Sequence, residues 1–157
     1  MTAKMKFLAG DATCPVGAGN KIIAHVCNDV GRWGKGFVLA VSKRWPITEI
    51  KYRRLAGYQL SIKLGTVQLI QVEKSIWVAN MIAQHDIVSR DGVPPIRYEA
   101  LYECLKELGF HAHQLNAAIH MPRIGCGLAG GEWKQVEKLI HDALPLTEVV
   151  VYSLHQS

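Results

Sequence analysis

The chain has 157 residues, a net charge of +5, 49% hydrophobic residues and 20% charged residues. These values are ordinary for a soluble globular protein, and the length fits a single domain over residues 1–157 with a sizeable core. No apolar run approaches the ~20 residues that a transmembrane helix needs, which excludes a membrane partner.

The cysteines indicate a reducing compartment. Four are present, widely spaced and without a CxxC pair: Cys14, Cys27, Cys104 and Cys126. This pattern predicts free thiols in place of a disulfide framework or a zinc site. Residues 1–8 contain lysines but no long apolar segment, so that we expect no signal peptide and a cytoplasmic location. The sequence shows no metal-ligand spacing and no cofactor motif, and we predict neither a metal nor a cofactor.

The first predicted strand, Lys4–Ala9, ends at Gly10-Asp11. Asp11 therefore stands at a strand end, where side chains of an open α/β sheet meet ligands. An aspartate at this position also commonly bonds its own backbone in a turn, and the sequence leaves both interpretations open.

A strand–glycine loop–helix unit follows. Lys21–Cys27 is almost continuously apolar, as in a strand buried on both faces, and Asn28 and Asp29 stand at its exit. Three glycines come next: Gly31, Gly34 and Gly36. Apolar residues at helical spacing begin at Phe37, and Pro46 is expected to end that helix. The glycine spacing fits neither established nucleotide-binding fingerprint.

The middle of the chain predicts a helix, a hairpin and a long loop. Thr48 is expected to cap a helix over Glu49–Gln59. Strands are predicted over Thr66–Val72 and Ile76–Ile82. The polar segment from Gln84 to Pro95 is long enough to act as a lid. Five residues then recur on one face of a further helix: Tyr98, Leu101, Tyr102, Leu105 and Leu108.

A second strand–glycine loop–helix unit lies near the C-terminus. The apolar run Ala117–Met121 precedes the glycine-rich stretch Met121–Gly131, and Glu132–Ile140 has helical spacing. Such a unit presents backbone N–H groups and a helix N-terminus to an anion, although a tight connection without a ligand has the same pattern. The last strand is predicted over Glu148–Leu154. The alternation of elements, with one hairpin, predicts a three-layer α/β/α domain with a mixed central sheet.

Part of the positive charge is clustered in five residues: Lys43, Arg44, Lys51, Arg53 and Arg54. A basic cluster can contact nucleic acid or an anionic ligand, and it can equally be a solvated helix face.

The segment Met121-Pro-Arg-Ile-Gly-Cys-Gly-Leu128 closely resembles the second phosphate loop of macrodomains. The nearest branch contains the human terminal ADP-ribose protein glycohydrolase and the yeast ADP-ribose-1''-phosphate phosphatase. Four further motifs match in order along essentially the whole chain: Gly10-Asp11-Ala12, Ala24-His-Val-Cys-Asn28, Trp33-Gly-Lys-Gly36 and Val151-Tyr-Ser-Leu154.

The resemblance implies a macrodomain fold and an ADP-ribose site. Asp11 would bond the adenine amine, Ala12 would give a backbone contact, Tyr152 would stack on adenine, and Asn28 would lie near the distal ribose. The residues implied for the diphosphate are Trp33, Gly34, Lys35 and Gly36 in the first loop and Arg123, Ile124, Gly125, Cys126, Gly127, Leu128, Ala129 and Gly130 in the second.

The chain departs from the human glycohydrolase at both of that enzyme's catalytic positions. Ala129 occupies the position of its acid, and Ala83-Gln-His85 occupies the region of its lysine. We therefore predict a mechanism without a lysine adduct, in which Asn28, Asp29 and His85 orient or deprotonate a water.

The expected function is hydrolysis of ADP-ribose from ADP-ribosylated acidic side chains of proteins. Two alternatives are a non-catalytic ADP-ribose reader and a phosphatase acting on ADP-ribose-1''-phosphate. The basic cluster keeps nucleic acid-linked ADP-ribose open as a partner.

Overall fold

A computed structural model describes residues 5–57 and 62–154. Its helices and strands are, in chain order, β1 (Met5–Ala9), β2 (Asn20–Asn28), α1 (Phe37–Arg44), α2 (Pro46–Gly57), β3 (Val67–Glu73), β4 (Ile76–Gln84), α3 (Tyr98–Leu115), β5 (Ala117–Pro122), α4 (Trp133–Ala143) and β6 (Val149–Ser153).

The strands form one mixed sheet in the order β1-β6-β5-β2-β4-β3. Only β3 runs antiparallel to its neighbour, because the two-residue turn after Glu73 joins it directly to β4. The other five strands are parallel, so that their carboxyl ends lie along the same edge of the sheet. The predicted mixed sheet is confirmed.

The helices cover both faces of this sheet. Helices α3 and α4 pack on one face, where β2 contributes Ile22 to the core. Helices α1 and α2 pack on the other face, where Ile23 of the same strand meets Val41 and Tyr52. Consecutive residues of β2 are therefore buried on opposite faces, as its continuous apolar sequence predicted. These layers confirm the three-layer α/β/α architecture.

The connections after β2 and β5 leave the sheet in opposite directions. The chain passes from β2 through α1 and α2 to the edge strand β3, which lies beyond β4, and from β5 through α4 to β6 on the other side. Adjacent parallel strands whose connections diverge leave a crevice outside their carboxyl ends, and ligands of open α/β sheets bind there. Both glycine loops begin at this point.

Several predicted element boundaries were wrong. Helix α1 ends at Arg44, just before Pro46, as predicted. The predicted start of the next helix at Glu49 was wrong, because Pro46 itself begins α2: proline fits the first helical position, where no backbone hydrogen bond is lost. Thr48 is not a cap: it lies inside α2 and its hydroxyl donates to the Trp45 carbonyl oxygen. Helix α3 extends to Leu115, and a left-handed Asn116 ends it. The predicted ends at Lys4 and Gln59 lie outside the described residues.

All four cysteines are described, and all are free thiols, as predicted. Within residues 5–57 and 62–154, no helix is long and apolar enough to cross a membrane. The same part of the chain contains no group of three or more metal-ligating side chains arranged to hold an ion.

Candidate ligand-binding cleft and catalytic pair

The first glycine loop, residues 29–36, is held by the side chain of Asn28. Its Oδ1 accepts hydrogen bonds from the Val30 and Arg32 N–H groups and from the Tyr52 hydroxyl, and its Nδ2 donates to the Arg32 carbonyl oxygen. Asn28 is 6% exposed. An amide with this many partners organises the loop, and it has no basic nitrogen with which to deprotonate a water.

Packing explains part of the glycine content of this loop. Gly31 has a φ of 79°, and a Cβ at that position would overlap the Cβ of Ala56 in α2. Trp33 is buried, and its indole N–H donates to the Val38 carbonyl oxygen. Gly34 has open space where a Cβ would lie. The loop is thus clamped on α2 at Gly31 and presents an open backbone from Gly34 onwards.

The second glycine loop, residues 123–132, rests on the end of the segment predicted as a lid. A Cβ on Gly130 would lie 2.7 Å from Pro94 Cβ, and a Cβ on Gly125 would lie 3.1 Å from Ile96 Cδ1. Gly127, in contrast, has no atom within 4 Å of a built Cβ, and its φ is not positive. Positive φ values of 73° and 78° favour glycine at positions 125 and 130, and the contact with Pro94 adds a steric reason at Gly130. Neither reason applies at Gly127.

The segment between β4 and α3 is an ordered hairpin-like loop. His85 N–H donates to the Pro95 carbonyl oxygen at its base, and Arg90 and Val93 exchange both backbone hydrogen bonds at its tip. Asp91 and Gly92, between them, have φ values of 52° and 76°, as in a type I′ turn. Its predicted role as a lid stays a prediction.

Two adjoining cavities lie between the glycine loops. One has a volume of 580 Å³ and the other 270 Å³. Five residues line both cavities and join them into one cleft: Val26, Lys35, Val38, Gln84 and Leu128. The cleft lies outside the carboxyl ends of β2, β4 and β5, at the crevice that the topology predicts.

Asp29 and His85 form a hydrogen-bonded pair beside this cleft. Nδ1 of His85 lies 2.7 Å from Oδ2 of Asp29, and Oδ1 of the same carboxylate accepts the Asp86 N–H at 2.8 Å. Because a carboxylate only accepts, Nδ1 carries the ring proton and Nε2 has the free lone pair of a neutral imidazole. His85 is exposed, and its chain neighbours Gln84 and Ile87 line the 580 Å³ cavity. A histidine oriented by a carboxylate is the usual arrangement of a general base.

Asp11 lies at the other end of the sheet edge, after β1. Its Oδ1 accepts both the backbone N–H and the hydroxyl of Thr13, each at 2.8 Å. The turn interpretation of Asp11 is therefore correct for Oδ1, and Oδ2 has no hydrogen bond to residues 5–57 and 62–154. Ala12 is buried beside Tyr152.

Tyr152 is buried, at 3% exposure. Its hydroxyl accepts the Val16 N–H and bonds Nδ1 of His120, whose ring stacks on it at 5.7 Å. Because so little of the ring is exposed, its role in stacking on adenine stays a prediction.

The structure brings together most of the predicted site. The predicted residues that line the cleft are Asn28, Trp33, Gly34, Lys35, Gly36, Arg123, Ile124, Gly125, Gly127, Leu128 and Ala129. The predicted residues outside its lining are Asp11, Ala12, Asp29, His85, Cys126, Gly130 and Tyr152. Arg32 and Arg53 also line the larger cavity. Arg32 was not predicted as a site residue, and Arg53 was considered only as a member of the basic cluster. Arg53 lies on α2, and nothing in the sequence indicates that this helix borders the cleft.

The basic cluster is partly neutralised. Arg44 pairs with Glu73 at 3.4 Å, and Arg53 pairs with Glu49 at 2.7 Å. Arg44 also donates to the Thr13 carbonyl oxygen, which ties α1 to the loop after Asp11. A nucleic acid contact through this cluster stays a prediction.

A cavity of 620 Å³ lies at the opposite end of the sheet, near the start of β2 and β5. Its lining includes several alanine and glycine residues and the exposed side chains Phe110 and Leu146. It lacks the glycine loops and the His85–Asp29 pair, so we assign the candidate site to the cleft instead.

Below the cleft, His25 is a neutral core residue. Burial lowers its pKa to about 4, and a hydrogen bond to Asn80 opposes that shift only in part. Since the unfolded chain takes up the proton near pH 6.5, stability is present above that pH and is lost as the pH falls towards 4. We expect this histidine to lower the unfolding free energy by about 2 kcal/mol between pH 7 and pH 5. Denaturant titrations at both pH values should show a smaller pH dependence for His25→Gln than for the unmodified protein, and equal dependence would contradict this assignment.

Comparison with known proteins identifies relatives along the whole chain. No protein-family model matches the sequence. The chain is 47% identical to a macrodomain protein of known structure from Streptomyces coelicolor, with a TM-score of 0.83 over 98% of this chain and 100% of that one. It is 25% identical to the ADP-ribose 1''-phosphate phosphatase of Lodderomyces elongisporus, over 94% of this chain and 97% of that protein.

Two longer relatives contain a similar segment. The chain is 29% identical, over 96% of its length, to chromodomain-helicase-DNA-binding protein 1-like of Mus musculus, and it spans 18% of that protein. It spans 14% of the corresponding Danio rerio protein.

Proposed function

Because the chain belongs to the macrodomain family, we propose that it binds ADP-ribose between its two glycine loops and hydrolyses the bond joining ADP-ribose to acidic side chains of proteins. The observation that carries the hydrolytic part is the 2.7 Å hydrogen bond between His85 Nδ1 and Asp29 Oδ2. A module that only binds has no need of an oriented base.

The dimensions of the sheet edge suit an extended dinucleotide. Three strand steps separate β1 from β2, or about 14 Å at ~4.8 Å per step. Adenine would lie by Asp11 and Ala12, and the diphosphate between the loops, where Gly34 and Gly127 expose their backbone. Lys35 and Arg123 line the cleft beside it and supply positive charge. The distal ribose would then lie over the ends of β2 and β4.

The proposed reaction needs a base and a positioned water. Nε2 of His85 takes a proton from a water, whose oxygen forms a bond to the anomeric carbon of the distal ribose. The bond from that carbon to the ester oxygen breaks, and the electron pair leaves with the glutamate or aspartate carboxylate. Asp29 keeps the imidazole in the required tautomer and stabilises its protonated form. Asn28 holds the first glycine loop, and this positioning replaces the catalytic role predicted for it from the sequence.

A second candidate function is removal of the phosphate from ADP-ribose-1''-phosphate. Arg32, Lys35 and Arg53 line the larger cavity, and cations there favour a substrate with a phosphate on the distal ribose. The similarity to the Lodderomyces elongisporus phosphatase supports this candidate. The same cations leave open a nucleic acid-linked ADP-ribose.

Three measurements on one preparation separate these functions. We expect release of ADP-ribose from a glutamate-modified protein, little phosphate release from ADP-ribose-1''-phosphate, and ADP-ribose binding by calorimetry. Asp11→Ala is the control for the site and should weaken binding by about 1–3 kcal/mol if Oδ2 accepts a buried adenine hydrogen bond. Phosphate release as the main activity would favour the second candidate. Binding without any turnover would favour the reader.

A further inference from the structure

Asp86, directly after His85, has an unusual backbone conformation. Its φ is 60°, in the left-handed region that non-glycine residues rarely adopt. Such conformations persist only where neighbouring contacts hold them, and they are frequent at functional sites.

Four contacts hold Asp86. Its Oδ1 accepts the Ile87 N–H at 2.7 Å, and its Oδ2 accepts from Arg90 at 2.6 Å. Its carbonyl oxygen accepts from Nε2 of Gln84 at 2.9 Å. Its own N–H donates to Oδ1 of Asp29 at 2.8 Å. The first three contacts hold the backbone of Asp86 in this conformation. The fourth is the contact that this conformation makes with Asp29.

The last contact determines how Asp29 meets His85. With Oδ1 held by the Asp86 N–H, Oδ2 is the oxygen that faces Nδ1 of His85. The loop beyond Asp86 is anchored where His85 N–H meets the Pro95 carbonyl oxygen. A return of Asp86 to negative φ would rotate the adjoining peptide planes within that closed loop and move the N–H away from Asp29.

We propose that Asp86 is a positioning residue whose left-handed backbone aims its N–H at Asp29 and thereby keeps the proton of His85 on Nδ1. The inference rests on the proposed function, because it concerns the orientation of Asp29 and His85, the pair proposed as the general base. The Asp86 carboxylate serves only to hold the backbone. Side chains that tolerate positive φ should therefore replace it, whatever their charge.

A set of substitutions tests whether the backbone conformation of Asp86 or its carboxylate is the important feature. Asp86→Gly and Asp86→Asn tolerate positive φ and should keep kcat within about 3-fold, whereas β-branched Asp86→Val should lower kcat by about 10-fold or more with KM little changed. Asp91→Val is the matched control, because Asp91 has a φ of 52° in the same loop but lies in its tip turn. It should carry a similar backbone penalty without the loss of kcat. An equal loss in Asp86→Asn and Asp86→Val would overturn the proposal, because it would make the carboxylate the important group.

A second readout does not depend on turnover. Nitrogen-15 NMR of the imidazoles reports the tautomer, and comparison with His85→Ala assigns the His85 signals among the 7 histidines. We expect the Nδ1–H tautomer in the unmodified protein and in Asp91→Val, and its loss in Asp86→Val. An unchanged tautomer in Asp86→Val would overturn the positioning role. If the protein hydrolyses nothing, the proposed function fails, while this readout still decides the role of Asp86.

Discussion

His85→Ala is expected to lower the kcat for release of ADP-ribose from a glutamate-modified protein by about 10²–10⁴-fold, the usual contribution of a general base. The affinity for ADP-ribose should change by less than about 1 kcal/mol, because the imidazole acts on the water in the transition state and not on the bound nucleotide. Single-turnover kinetics measures the first quantity and calorimetry the second.

The hydrogen bond between Asp29 and His85 leads to a second expectation for the kinetics of the variants. If Asp29 acts by orienting His85, then Asp29→Ala should cost no more than His85→Ala, and the double variant should be no slower than His85→Ala alone. His111→Ala is the matched control. His111 also bonds a carboxylate, Glu107 at 3.1 Å, but the pair lies on α3, away from the cleft. It should leave turnover unchanged.

The alternatives give different kinetics. Independent, multiplicative losses in the two single variants would mean that Asp29 and His85 serve different steps. Full activity in both would exclude this pair as the base and leave hydrolysis assisted by a hydroxyl or phosphate of the substrate itself.

The layered fold could be predicted because local patterns determine it. The continuous apolar sequence Lys21–Cys27 requires burial on both faces, and the structure places Ile22 and Ile23 in separate cores. The junction of α1 and α2 could not be predicted, because a proline is equally compatible with the end of one helix and the first turn of the next. Trp45, which lies between the two helices, is buried in the core with Val41 and Tyr52.

The two glycine loops were predicted as the site, but the reason for each glycine depends on contacts distant in sequence. Gly31 meets Ala56, and Gly130 meets Pro94. The pairing of Asp29 with His85 has the same origin. The two are 56 residues apart, and they meet because β2 lies beside β4 with Asn28 opposite Gln84. Both residues were predicted to orient or deprotonate a water, but the strand order that brings them together could not be read from the sequence, so that their hydrogen bond was not predicted.

The open space around Gly127 leads us to expect a second large effect. Gly127→Val is expected to weaken ADP-ribose binding by about 3 kcal/mol or more, roughly 100-fold, while the unfolding free energy changes little. The loss corresponds to about two hydrogen bonds to a charged group, since a β-branched side chain would keep the diphosphate from the loop N–H groups. Stability is spared because a Cβ at Gly127 has no atom within 4 Å and the backbone does not require positive φ.

Two matched variants make this result specific to the proposed phosphate contact. Gly57→Val adds the same side chain at the end of α2, at another glycine whose built Cβ has no atom of the described residues within 4 Å, and should bind ADP-ribose normally. Gly130→Val should instead unfold more easily, because its Cβ would press on Pro94 and its φ is 78°. Calorimetry and denaturant titration on the three proteins should therefore separate binding from stability. Normal ADP-ribose binding by Gly127→Val would show that the diphosphate does not approach this loop, and loss of both properties together would show that Gly127 is needed for folding.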